Sequence, residues 1–176
     1  MVELRLARPS EADAIQELMR ASARELFPHF YDERQTASGV EHIAQLDELL
    51  IEDGTYFVHV AGKEIVACGG WSRRYKLWAG EDPSDEDERL LDPATEPARI
   101  RAMFVRGDWT RRGLGREILK ASENAARAEG FRELILGATG PGVPLYRACG
   151  FEERERIKLQ MPDGVEVECV VMSAPL

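Results

Sequence analysis

One short stretch combines residue type and spacing in a way that suggests a ligand: Arg111-Arg112-Gly113-Leu114-Gly115-Arg116. Two glycines let the backbone approach a bound group closely, and the first-turn N–H groups of a helix starting here have no intrahelical partners. The helix dipole adds positive potential, and Arg111, Arg112 and Arg116 add full charges. Together these donors make a cradle for a pyrophosphate. The stretch is not a P-loop, since no Gly-Lys-Ser/Thr follows, and not a dinucleotide fingerprint, since Ile118 stands in the third glycine's place. An ordinary turn with solvated arginines would carry the same letters; the position at a strand-to-helix junction is what favours a cradle.

That junction is read from the flanking pattern. A strand is expected from Ala98 to Val105, a turn from Arg106 to Arg111, and a helix from Gly113 to Ala128. Ile118, Leu119, Ser122, Ala125 and Ala126 share a face of that helix, and Gly130 ends it. Upstream, Val2, Leu4 and Leu6 alternate with Glu3 and Arg5 as a short strand with one buried face. Ser10, Glu11 and Asp13 then look like a capping box, opening an amphipathic helix (Ile15, Leu18, Met19, Ser22, Leu26) that Pro28 stops. An aromatic turn, Phe27 to Tyr31, precedes a weaker helical stretch from about Thr36 to Ile51. Tyr56-Phe57-Val58 and Ile65-Val66-Ala67 form a hairpin across Gly62-Lys63, and Lys76 to Pro97 is a long acidic loop. Downstream, Leu134 to Leu136 reads as a strand and Val143 to Cys149 as a short helix. Phe151 to Leu159 then pairs with Val165 to Met172 across Pro162-Asp163-Gly164.

A length of 176 residues suits a single domain spanning 1–176, and 44% hydrophobic with 31% charged residues excludes a disordered or collagen-like chain. The net charge of −9 is concentrated: Glu81 to Glu96 holds eight acids against Arg89 alone. The remainder has no global field to attract nucleic acid or an anionic membrane, and neither is expected as a partner. The acidic segment is expected to be solvated and mobile through self-repulsion, and at an acceptor mouth it would attract a cationic amine. The N-terminus has no apolar run, and the longest uncharged stretch, Leu134 to Tyr146, contains three Gly and two Pro. Neither a signal peptide nor a membrane span is expected. Cys68, Cys149 and Cys169, odd in number and without CxxC spacing, argue against a disulfide framework or metal site, and a cytoplasmic, reduced setting is expected.

Arg101 to Leu119 resembles the strand, turn and CoA helix of the GNAT superfamily of acyl-CoA-dependent N-acetyltransferases, whose core is Arg/Gln-x-x-Gly-x-Gly/Ala. Arg112 and Gly115 match that core; Glu117 replaces its final small residue. Ala138 to Phe151 is similar to the family's second acyl-CoA segment, ending in Tyr-x-x-x-Gly-Phe, with Pro141 where many members carry Asn. The resemblance implies an α/β (α+β) fold: a mixed, mostly antiparallel central sheet flanked by helices, with the strands Ala98–Val105 and Leu134–Leu136 splayed to admit CoA. It implies acetyl-CoA as co-substrate without a metal, and pantetheine pairing with the backbone of Met103, Phe104 and Val105. The pyrophosphate would lie on Arg111, Arg112, Gly113, Leu114, Gly115 and Arg116. An amine acceptor and a homodimer are implied as partners.

By the same resemblance Tyr146 protonates the departing CoA thiolate, a role open to a phenol within hydrogen-bond reach of sulfur; packing of a short helix is the plainer alternative. Cys149 reads as a buried small residue, with no paired base to make it a nucleophile. His29, His59, Glu64 and Glu96 are undistinguished candidates for the general base, and a water chain would also serve. Acceptor contacts are implied for Phe27, Phe30, Tyr31, Trp71, Arg73 and Arg74. The expected activity is direct transfer of an acetyl group to a primary amine; a non-catalytic acyl-CoA sensor would keep the cradle and have no need of Tyr146.

Overall fold

The computed structural model describes residues 1–79 and 83–176. Its strands are β1 (Val2–Leu6), β2 (Tyr56–Ala61), β3 (Glu64–Ser72), β4 (Ala98–Val105), β5 (Glu133–Ala138), β6 (Glu152–Gln160) and β7 (Glu166–Pro175). They form one seven-stranded sheet in the order β1-β2-β3-β4-β5-β7-β6. The helices are α1 (Ala12–Leu26), α2 (Glu33–His42), α3 (Leu49–Glu52), α4 (Leu114–Ala128) and α5 (Val143–Ala148). This is the mixed, mostly antiparallel sheet flanked by helices that the resemblance implies.

Each face of the sheet carries the apolar stripe of a long helix. Ile118, Leu119, Ser122 and Ala126 of α4 are buried, with Trp71, Ile100 and Leu136 in the core beneath them. On the opposite face Ile15, Leu18, Met19 and Ala23 of α1 pack with Tyr56, Val58 and Cys68. Each such large aliphatic side chain contributes roughly 1.5–3 kcal/mol by leaving water.

The feature that matters for a site is where the sheet fails to close. The β4–β5 pair is parallel and holds only through Ala98↔Leu134 and Arg99↔Ile135. Beyond Arg99, β5 follows β7 as far as Ala138 while β4 follows β3. Within that stretch β4 bulges: Cys68 faces Phe104 and Gly70 faces Arg101, so Ala102 and Met103 stand opposite Gly69 alone, with Ala102 at φ +50°. An extra residue bends a strand and increases its twist, turning β4 away from β5.

Several expectations are corrected. Ser10 does not cap α1; a 3₁₀ turn, Pro9–Glu11, precedes it, and the Glu11 carboxylate accepts from the Arg8 N–H at 2.8 Å and from Arg5 at 2.7 Å. Leu6 is exposed because β1 is the sheet's edge strand, paired only with β2. The stretch from Thr36 to Ile51 is two helices, the first starting earlier, at Glu33, where Asp32 accepts from the Gln35 N–H at 2.7 Å. Between them the Gln16 side chain bonds the Leu46 N–H and the Ala44 carbonyl, satisfying from α1 groups that a continuous helix would pair. Cys149 is half-buried rather than buried.

Over its described part the acidic stretch is the expected loop with mostly exposed acids, and it also pairs with the chain before it. Tyr75 N–H donates to Arg89 O at 2.9 Å, Lys76 N–H to Asp87 O at 3.1 Å and Leu91 N–H to Arg73 O at 2.8 Å, so the segment folds back along residues 73–76 and buries Leu91. Arg89 pairs with Glu96 at 2.8 Å and holds that carboxyl down at about 2. That pair offsets part of the charge repulsion within the loop. Glu81 and Asp82 lie outside the described residues.

Candidate active site

The parted strands border a cleft of about 740 Å³. Its cradle wall comprises Thr110, Arg111, Gly113, Leu114, Gly115 and Arg116; Met103, Phe104 and Val105 of β4 line it further on, with Ala138, Thr139, Leu145 and Tyr146. A third group is aromatic and apolar: Phe27, Phe30, Ile43, Trp78, Leu159 and Cys169.

The cradle forms because α4 begins at a residue that must reverse the chain. Gly113, the N-cap, has φ +80°, and a Cβ there would meet nothing within 4 Å, so the backbone faces open space. Glycine adopts this conformation without strain; Arg111, at φ +62°, does so at a cost of order 1–3 kcal/mol. Gly115 is small for another reason: a Cβ would come within 2.9 Å of Leu145 on α5. Arg111 and Arg116 line the cleft. Arg112 does not; its guanidinium lies 4.5 Å above the Trp109 ring. Glu117 faces away from the cleft, 3.3 Å from His59, so the departure from the family core leaves the cradle untouched.

Tyr146 is buried, sits edge-on to Phe151 with ring centroids 5.8 Å apart, and presents itself to the cleft. Among the described residues no hydrogen bond ties its hydroxyl to the protein. Burial pushes the phenol well above its ordinary value, so it stays protonated, and a proton donor, at neutral and mildly alkaline pH. Burial likewise pushes the Cys169 thiol to about 12, which keeps it from serving as a thiolate nucleophile.

None of the four candidate bases lines the cleft. His59 is buried, its Nε2 3.2 Å from the Leu114 carbonyl, with burial lowering its proton affinity. Glu64 is held by Arg106 at 3.0 Å, Glu96 by Arg89, and His29 is exposed on the 3₁₀ turn Phe27–His29. Among the described residues no carboxylate or imidazole lines the cleft at all.

The aromatic expectations divide. Phe27 and Phe30 line the cleft. Tyr31 is a pin: its hydroxyl accepts from the Gly140 N–H at 2.8 Å and donates to the Glu168 carbonyl at 2.9 Å, tying the turn before α5 to β7. Trp71 is in the core against Phe131, while Arg73 and Arg74 are each held at 2.8 Å by Glu129 and Asp53; none of the three reaches the cleft. Sequence reasoning passed over Trp78, whose ring lies on Gly137 of β5 where any side chain would collide with it. Gly137, directly after the expected strand Leu134–Leu136, is the signal that could have marked such a close approach.

Residues 13–151 match the model of the Acetyltransferase (GNAT) family, and the chain belongs to that family. Among solved structures it is similar to a GCN5-related N-acetyltransferase from Rhodopseudomonas palustris (TM-score 0.73, 18% identity, covering 99% of this chain and 95% of that one). It is similar also to the PaiA N-acetyltransferase of Thermoplasma acidophilum, determined in complex with coenzyme A (TM-score 0.70, 13% identity, 100% and 99%). A third is the ribosomal-protein-S18-alanine N-acetyltransferase of Escherichia coli (TM-score 0.59, 18% identity, 99% and 94%). At these identities the likeness is one of fold. No curated protein sequence matches the chain significantly.

Proposed function

We propose that the protein transfers the acetyl group of acetyl-CoA directly to a primary amine. The observation that carries this reading is that the cradle at the start of α4 and the unbonded hydroxyl of Tyr146 border one cleft, in the gap between β4 and β5. The residues suit the co-substrate. Arg111, Arg116 and the N–H groups of Gly113, Leu114 and Gly115 would hold the pyrophosphate, with Arg112 adding charge from its stack on Trp109. Among the described residues the edge of β4 beyond Arg99 has no strand partner on its β5 side, and the backbone of Met103, Phe104 and Val105 would pair there with the pantetheine amides, although the Val105 carbonyl also accepts from Ser22 Oγ at 2.8 Å.

In this reading Tyr146 donates its proton to the departing thiolate. The amine enters uncharged, because a cleft without carboxylates among its described residues disfavours an ammonium ion, and water removes the proton released on attack. No helix among the described residues is long and apolar enough to cross a membrane, and a cytoplasmic acceptor is part of the proposal. The test is thiol release from acetyl-CoA across a panel of primary amines, with the acetylated product identified by mass. Tight CoA binding without turnover on any amine would make the protein an acyl-CoA sensor instead.

A further inference from the structure

We propose that Arg101 binds an anionic group on the acceptor, so that the preferred acceptor is an amine bearing a carboxylate or similar anion on an apolar or aromatic body. The inference rests on acetyl transfer in the cleft.

Arg101 is the last residue of β4 before the bulge, and only 4% of it is exposed. A guanidinium carries five N–H donors. Arg101 uses one nitrogen for both of its protein contacts, and both are long: the Asp47 carboxylate at 3.5 Å and the Lys76 carbonyl at 3.4 Å. Its other two nitrogens have no partner among the described residues, yet neither is sealed away from solvent-accessible space. Other arginines differ. Arg5, Arg73, Arg74 and Arg89 each meet a carboxylate through two nitrogens at 2.7–2.9 Å. A buried charge this poorly matched is costly unless something else completes it.

Arg101 lines both the cleft and a second cavity of about 410 Å³. That cavity is lined by Asp47, Asp53, Asp85, Asp87 and Glu88 against Arg74, already held by Asp53, and Lys76, so its walls are net acidic and would repel an anion. Among the described residues the cleft side offers no carboxylate, and its other cations, Arg111 and Arg116, belong to the cradle. An anion therefore reaches Arg101 from the cleft, and Phe27, Phe30 and Trp78 supply the apolar wall for the rest of the acceptor. The described acids of the 83–96 segment line the second cavity or the surface, not the cleft, so attraction of a polycation has no support from its walls.

The test compares phenylalanine, tryptophan, leucine and methionine with their amides as acceptors, taking kcat/KM in its pH-independent limit so that amine basicity does not enter. The acids should be preferred by about tenfold or more, chiefly through KM, as expected for a hydrogen-bonded charge pair. R101Q should collapse that preference, and R101K should restore part of it. Calorimetry of the N-acetylated acids and amides with CoA present gives the same comparison without turnover, and wild-type protein suffices if the variants do not fold. Equal or better use of the amides overturns the role of Arg101 and leaves acetyl transfer standing. Tighter binding of the acetylated acids than of their amides, without turnover on any acceptor, supports the anion site and overturns acetyl transfer. Neither turnover nor binding overturns both.

Discussion

The cradle wall and the aromatic wall of the cleft are assembled by opposite routes. The cradle is nearly contiguous, residues Thr110 to Arg116, and its chemistry is that of backbone N–H groups and formal charge at a helix start. The aromatic wall draws Phe27 and Phe30 from the turn after α1, Ile43 from just past α2, Trp78 from the long loop, Leu159 from β6 and Cys169 from β7. No member of that wall differs in type from an ordinary core residue. Recognition of a constant ligand is thus local in the chain, while recognition of the variable one depends on the whole tertiary fold.

The largest effect belongs to the group between the two walls. Tyr146→Phe keeps the ring and removes the proton, so kcat should fall by about 10²–10⁴-fold with the acetyl-CoA Kd little changed; an unchanged kcat with chemistry rate-limiting would make Tyr146 a packing residue. Next, Gly113→Val places a β-branched residue at φ +80°, a strain of order 1–3 kcal/mol, and should weaken acetyl-CoA binding in calorimetry by roughly tenfold or more. If binding survives, the cradle is not where the pyrophosphate lies. Trp78→Ala should do the reverse, raising the acceptor KM by roughly tenfold through lost apolar contact while acetyl-CoA affinity holds; an equal change in both would erase the distinction between the walls.

The pH profile sharpens the same contrast. With no carboxylate or imidazole lining the cleft among the described residues, kcat/KM should rise about tenfold per pH unit up to the acceptor amine's own pKa and then level. The phenol of Tyr146 is raised above its usual 10, so it loses its proton only at higher pH and imposes no falling limb in the neutral range. A plateau set by a protein group near pH 6–7, the same for amines of different basicity, would point to a base that the cleft does not display. The smallest effect is expected for Arg112→Ala. Its exposed stack on Trp109 is of a kind that contributes about 0.5–1 kcal/mol, so acetyl-CoA affinity should fall only several-fold.

What could be read from the sequence follows the same division. The strand Ala98–Val105 is found at its expected bounds, and the helix after it begins one residue later than expected because Gly113 is its cap. The hairpin across Gly62-Lys63 is likewise present, since apolar alternation and turn residues are local signals. The bulge at Ala102 and Met103 was not legible: one surplus residue in an apolar strand leaves no mark in composition. The break between α2 and α3 depends on Gln16, nearly thirty residues earlier. Arg73 and Arg74 looked free for an acceptor because Glu129 and Asp53, their partners, are distant in the chain. Arg101 went unread for the converse reason, since only the fold reveals an arginine that is buried and poorly paired.

The most direct test of the account is a structure with CoA bound. The account predicts the pantetheine arm in the gap between β4 and β5 beside Met103, Phe104 and Val105, the pyrophosphate against the N–H groups that follow Arg112, and the sulfur within hydrogen-bond reach of the Tyr146 hydroxyl. CoA seated elsewhere, or a sulfur beyond the reach of Tyr146, would contradict it.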